Sequence, residues 1–172
     1  MLYKTSVKEA VGPYMTQLHP DIRNTARALI VRDGSVLLLR KCSPDQGEYY
    51  TLPGGGQYTG ETLEQTVARE CLEEIDTEVW LRDLLWVADY FRSRSTNRHV
   101  IEMVFLCDVP PGYEPRNGCR PDLHQLDVCW IRICDLDRHA LAEPYLASAM
   151  ASYRGQPSSP TYLGCFRDPA FA

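Results

Sequence analysis

Residues 54–77, GGGQYTGETLEQTVARECLEEIDT, place the tightest constraint on how this chain can fold. They run three consecutive glycines into a helix start, and they set Glu70, Glu73 and Glu74 within one turn with no lysine among them. Carboxylates at i, i+3 and i+4 share a helix face, where like charges repel by about 0.2–0.5 kcal/mol per pair. A helix stabilised by its own surface would interleave Lys with Glu. Something other than interleaved lysine is therefore expected to supply the positive charge.

The local signals around this stretch are strong. Thr62 as N-cap with Gln65 three residues on is a capping box, which satisfies two orphan N–H donors reciprocally. Leu63, Val67 and Cys71 fall on one stripe, widened toward a core by Ala68, Leu72 and Ile75, with the three glutamates along its edge. The glycines before the helix permit positive φ and a close approach of backbone to a ligand.

Apolar runs flank the helix on both sides. ARALIVRDGSVLLLRK predicts a hairpin turning at Asp33-Gly34, and YYTLP a short strand ending on Pro53. EVWLRDLLWVADYF, HVIEMVFLCDV and LDVCWIRI predict strands, DLDRHALAE a helix stopped by Pro144, and YLASAMASY a further helix. The expected organisation is a lead-in segment over 1–22, one α/β domain over 23–152 and an irregular tail over 153–172. Helices on both sides of a mixed β-sheet are the layering that accommodates this pattern.

Composition narrows the function classes. A net charge of -5 argues against broad attraction to nucleic acid or anionic membrane. The seven cysteines form no C-x-x-C pair and their number is odd, so reduced thiols in the cytoplasm are expected rather than a disulfide framework or a zinc site. No apolar run is long enough to predict a signal segment or a membrane span.

Carboxylates on one helix face after a glycine loop suit Mg²⁺ or Mn²⁺, which take oxygen ligands and often share them with substrate phosphates. Cations held there would let an acidic protein bind a diphosphate. The implied chemistry is metal-assisted hydrolysis of a phosphoric anhydride.

These residues resemble the Nudix hydrolase signature, G-x5-E-x7-R-E-U-x-E-E-x-G-U with U a bulky aliphatic. Gly55, Glu61, Arg69-Glu70 and Glu73-Glu74 stand at the required spacing. The resemblance implies the Nudix fold, a mixed sheet sandwiched between helices. It makes Glu70, Glu73 and Glu74 the metal ligands, with the carbonyl of Gly54 or Gly55 nearby, and Arg69 a bridge to Glu61 or Glu73. It leaves the general base unassigned. It also implies a small-molecule nucleotide substrate and allows a homodimer. ADP-ribose or an ADP-sugar is the first substrate expectation. A modified nucleoside triphosphate is the alternative, and a non-catalytic nucleotide-binding module the third.

The chain departs from the signature at Asp76 and Thr77, where glycine and an aliphatic are usual, and at Cys71. The family often carries a further acidic group six residues before the late tryptophan; here that residue is His124, and Asp122, Gln125, Asp127, Glu102 or Glu114 are substitutes. Candidate substrate contacts are Arg40, Arg92, Arg94, Arg98 and His124. Each also has an ordinary reading as strand-end solvation, a charged hairpin tip or a surface histidine. Tyr49, Tyr50 and Tyr90 are expected in the core more than against a base.

Overall fold

The computed structural model describes residues 22–92, 98–155 and 160–167, so the lead-in segment lies almost wholly outside it. The chain runs through β1 (Ile22–Leu29), β2 (Val31–Arg32), β3 (Ser35–Ser43), β4 (Gly47–Thr51) and β5 (Gly54–Gly56) to α1 (Leu63–Ile75). β6 (Trp80–Arg92), β7 (Arg98–Asp108), β8 (Gln125–Arg132), α2 (Tyr145–Ser152) and β9 (Tyr162–Arg167) follow. The predicted hairpin turns where expected: Asp33 and Gly34 take φ of 49° and 74°, the two-residue geometry that matches strand twist.

The strands form two sheets, one ordered β5-β1-β7-β6-β9 and one in which β3 pairs with β2, β4 and β8. β1 runs parallel to β7 and β9 parallel to β6, and the other pairs are antiparallel. The period-2 alternation of β1 and β3 divides the interior. Ala26, Ala28, Leu37 and Leu39 pack with Val67, Cys71 and Ile75 of α1, whereas Leu29, Val36 and Leu38 pack with Leu146, Ala149 and Met150 of α2. Helices therefore cover the sheets from both sides, the expected α/β architecture. Among the described residues no helix is long and apolar enough to cross a membrane.

Three expectations are corrected. On α1, Leu72 is half exposed and Ala68 exposed, while Thr66 and Glu74 are buried. The buried stripe runs through Val67, Cys71, Glu74 and Ile75, so Glu74 sits inside it rather than on its edge. DLDRHALAE is not an α-helix. A 3-10 helix over Ile133–Arg138 ends at His139, and Tyr50 of β4 then takes up the backbone by bonding the Ala140 carbonyl and the Ala142 N–H, each at 2.8 Å. Pro144 opens α2 instead of ending a helix. The irregular tail contains a strand, β9, whose partner β6 lies far back in the chain. Such a pairing leaves no local pattern.

Candidate active site

The glycine loop is strand β5, paired antiparallel to β1 with Gly54 opposite Arg27, Gly55 opposite Ala26 and Gly56 opposite Thr25. Gly54 takes φ of 126°, and a Cβ there would stand 2.2 Å from the Ala26 carbonyl oxygen. A Cβ on Gly55 would stand 2.6 Å from Glu70 Oε1. Gly54 thus lets the loop pair closely with β1, and Gly55 lets α1 bring Glu70 down onto the loop backbone.

Glu74 is 2 % exposed, and its Oε2 accepts the Gly54 N–H at 2.7 Å. Burial pushes its pKa up to about 8, against the lowering effects of that hydrogen bond and of Arg27, with the Glu70 and Asp122 charges adding to the rise. Arg69 binds Glu61 through Nε at 2.7 Å, Glu70 through Nη1 at 2.8 Å and the Gly56 carbonyl through Nη2 at 3.0 Å, with Glu73 farther off at 3.7 Å. The Arg69 hydrogen bond, helped by the Tyr58 N–H, holds the Glu61 carboxyl down at about 2. Loop and helix are thus locked together by one guanidinium.

The capping box forms as read, with Gln65 N–H donating to Thr62 Oγ1 at 3.2 Å and Thr62 N–H to Gln65 Oε1 at 2.8 Å. At the other end Asp76 takes the left-handed conformation (φ 52°) that glycine usually supplies, and Arg116 Nε bonds its carboxylate at 2.6 Å. The Gly118 and Arg120 N–H groups bond the Glu74 and Glu73 carbonyls at 3.0 Å each, and Gln125 Nε2 bonds the Glu74 carbonyl at 2.8 Å. The segment before β8 therefore caps α1 and satisfies its last carbonyls. It also carries Arg120 and Asp122 into the cleft.

Glu70, Glu73 and Glu74 line one side of a cleft of about 550 Å³, with Arg23, Arg27 and Arg98 also on its walls. Among the described residues no three side chains already converge as a ligand cluster. Glu70 is turned to Arg69, and Glu73 lies between Arg69 and Arg120. The donors still fit a hard divalent cation. They are all oxygens, and burial, with the Glu70 and Asp122 charges adding to it, disfavours a charge on Glu74 that a bound cation would compensate.

The remaining candidates are placed variously. Arg40 is not brought to the cleft. It pairs with Asp127, its partner in the β3–β8 register, at 2.6 Å and with Glu48 at 3.3 Å. His124 does not line the cleft either; its backbone takes φ of 67° and its carbonyl accepts the Cys42 N–H. Arg92 pairs with Arg98 along the backbone, its side chain lies outside the described residues, and so does Arg94. Of the substitutes for the late acidic group only Asp122 lines the cleft, held by an ion pair with the buried Lys41. Glu102 is buried with Arg27, and Asp127 is taken by Arg40. Tyr50 and Tyr90 are in the core, and all seven cysteines are free thiols.

Sequence reading passed over Arg23, Arg27 and Glu143. Arg27 is buried, bonded to Glu102 at 3.2 Å, Glu143 at 3.3 Å and the Gly54 carbonyl at 2.6 Å. Burial works against its charge, but the Glu143 and Glu102 carboxylates outweigh that and raise its pKa. Tyr145 at the start of α2 donates to Glu102, and Thr51 to Glu143 at 2.9 Å. The available signal was the alternation Arg23, Thr25, Arg27, which puts three polar side chains on one strand face.

Comparison with known proteins agrees with this geometry. A family model described as the NUDIX domain matches residues 22–152. An ADP-ribose pyrophosphatase of Methanocaldococcus jannaschii is 36% identical over 106 residues, which are 61% of this chain and 60% of the relative. A MutT-like protein of Streptomyces ambofaciens is 31% identical over 114 residues, 66% of each chain. The chain thus spans three fifths to two thirds of the length of these relatives. The crystal structure of a MutT NUDIX hydrolase from Burkholderia pseudomallei superposes with a TM-score of 0.59 at 31% identity, covering 76% of this chain and 98% of that one. A NUDIX hydrolase from Nitrosomonas europaea, at 24% identity, shares the fold with a TM-score of 0.64 over 88% of this chain and 82% of its own.

Proposed function

This chain belongs to the Nudix hydrolase family, and from that premise we propose that it hydrolyses the diphosphate linkage of a nucleoside diphosphate derivative. The observation that carries the proposal is the buried Glu74 carboxylate, set beside Glu70 against a glycine wall in an arginine-lined cleft. Glu70, Glu73 and Glu74 would hold Mg²⁺ or Mn²⁺. The Gly54 carbonyl already accepts from a guanidinium, so Gly55 is the better placed to add a backbone oxygen. Bound there, the metal would supply positive charge to phosphoryl oxygens and a more acidic water.

The chain's own residues do the rest. Arg69 keeps Glu61, Glu70 and the loop in register, and Arg27 fixes the loop from below. A cleft carboxylate takes the proton of the attacking water, and the water's oxygen ends on one of the two product phosphates. ADP-ribose or an ADP-sugar is the first substrate to try, on the strength of the pyrophosphatase relative. The cleft arginines favour a second reading, a nucleoside triphosphate. The reading includes action in the cytoplasm on a small molecule rather than on nucleic acid or a membrane, and a homodimer as the assembly to test by sedimentation.

The deciding experiment is product analysis with Mg²⁺ over a panel of ADP-ribose, ADP-sugars and nucleoside triphosphates. Turnover of at least one member supports the proposal. Tight binding without any turnover would convert the reading into a nucleotide-binding module.

A further inference from the structure

One face of β1 and β7 floors the cleft. Their parallel register sets Arg23 beside Val100, Thr25 beside Glu102 and Arg27 beside Val104. At the deep end the charge of Arg27 is balanced by Glu102 and Glu143. Toward the mouth, Arg23 and Arg98 line the same cleft, and neither meets a carboxylate among the described residues. The other cleft guanidiniums are committed, Arg69 to Glu61 and Glu70, and Arg120 to Glu73 at 3.5 Å.

Arg23 has a defined seat. Its guanidinium lies against Gly56, where a Cβ would fall 2.1–2.4 Å from Nη2, Nε and Cζ. That glycine therefore leaves room for a cation on the loop that carries the scissile chemistry. Among the described residues the one aromatic ring on the lining is Tyr58, and Arg69 already covers it at 4.0 Å. Among the described residues the cleft thus offers positive charge without a carboxylate partner where a base-reading site would offer a free ring.

We propose that Arg23 and Arg98 form a second anion subsite, which takes an ionised phosphate lying outside the scissile diphosphate. Guanidinium forks match phosphate oxygens and keep their charge at any relevant pH. The inference rests on the hydrolase reading above and adds the substrate class, a nucleoside diphosphate derivative carrying one further phosphate. That phosphate is either the third of a triphosphate chain or an ester on a sugar. ADP-ribose carries no such group, so the subsite ranks phosphorylated members of the class above it.

Two measurements on wild type, Arg23→Gln and Arg98→Gln test this. In the first, kcat and KM are determined with Mg²⁺ for ATP, ADP-ribose 2′-phosphate and ADP-ribose. Each variant should lose kcat/KM for one phosphorylated substrate by about tenfold more than for ADP-ribose, mainly through KM. The substrate that responds identifies the source of the phosphate, and Arg23→Lys should recover part of the loss. Equal losses for all three substrates would overturn the proposal.

The second measurement does not depend on turnover. Calorimetric binding of inorganic tripolyphosphate and pyrophosphate should show wild type preferring the former by about tenfold and both variants losing that preference. If wild type hydrolyses nothing yet shows the preference, the hydrolase reading falls and the subsite stands. If the preference is absent in wild type, the subsite falls whatever the turnover.

Discussion

Arg27 and Glu74 meet through a single residue: Gly54 accepts from Arg27 Nη1 at 2.6 Å and donates its N–H to Glu74 Oε2 at 2.7 Å. A buried cation and a buried acid thus hold the glycine loop from opposite sides. The Arg27 charge also reaches Glu74 and offsets part of what burial does to it. On its far side Arg27 is tied to Glu102 and Glu143, beside the start of α2.

Removing Arg27 would break both of its buried ion pairs, to Glu102 and to Glu143, a loss of about 3–5 kcal/mol. Arg27→Met should therefore lower the urea midpoint steeply with little change in slope. A loss under about 1 kcal/mol would show that the network contributes little beyond its packing.

Glu74 makes the stability of the metal-free protein depend on pH in an unusual direction. Its folded pKa is about 8 against an ordinary 4.5 for the unfolded chain, so between those values the folded chain holds a proton that the unfolded chain has released. Stability accordingly falls as pH rises from about 4.5 to about 8. Glu61 acts in a different window. Its carboxyl, held down at about 2 by Arg69, contributes stability that is present above about 4.5 and lost as pH falls toward 2. Thermal melts in chelator from about pH 4.5 to about 8.5 should show the decline across that window and a levelling above about 8, and Mg²⁺ should reverse the loss at about pH 8. A flat profile there would remove Glu74 from the account.

Glu74→Gln should abolish metal-dependent turnover, at least about 10²-fold, because even residues behind a metal ligand cost about 10–100-fold when changed. The amide oxygen can still accept the Gly54 N–H, so the fold should survive with its circular dichroism intact. The variant should also lose the decline between about pH 4.5 and about 8 and the Mg²⁺ rescue. Retained activity would show that Glu74 is not a ligand.

Asp76→Gly opposes two small effects. Glycine relieves a left-handed residue at φ 52°, worth up to about 1 kcal/mol. The exchange also removes the exposed Arg116 ion pair, worth about 0.2–1 kcal/mol. The net change in wild type should lie near zero, and the same substitution in an Arg116→Ala background should be stabilising. Equal effects in both backgrounds would mean that the pair contributes nothing.

The capped helix, the Asp33-Gly34 turn and the spacing of Gly55, Glu61, Arg69, Glu70, Glu73 and Glu74 were legible in the sequence because each depends on neighbours within a few residues. The same local logic ranked the reaction class and the metal. It misplaced Ala68, Leu72 and Glu74 around the helix, since which face is buried depends on what packs against it. It also left Arg40 between a substrate contact and strand-end solvation, where pairing of β3 with β8 gives that side chain an acidic partner.

Tertiary structure decided what no window along the chain contains. Parallel pairing of β1 with β7 brings Thr25 beside Glu102 and makes Arg27 the support of the glycine loop. The segment before β8 folds back on the end of α1 and carries Asp122 rather than His124 into the cleft. The sequence alone determined the element that gathers the carboxylates, because hydrogen bonding and helical spacing are short-range. What surrounds them depends on strands far apart in the chain, whose contacts exist only once the sheets have closed.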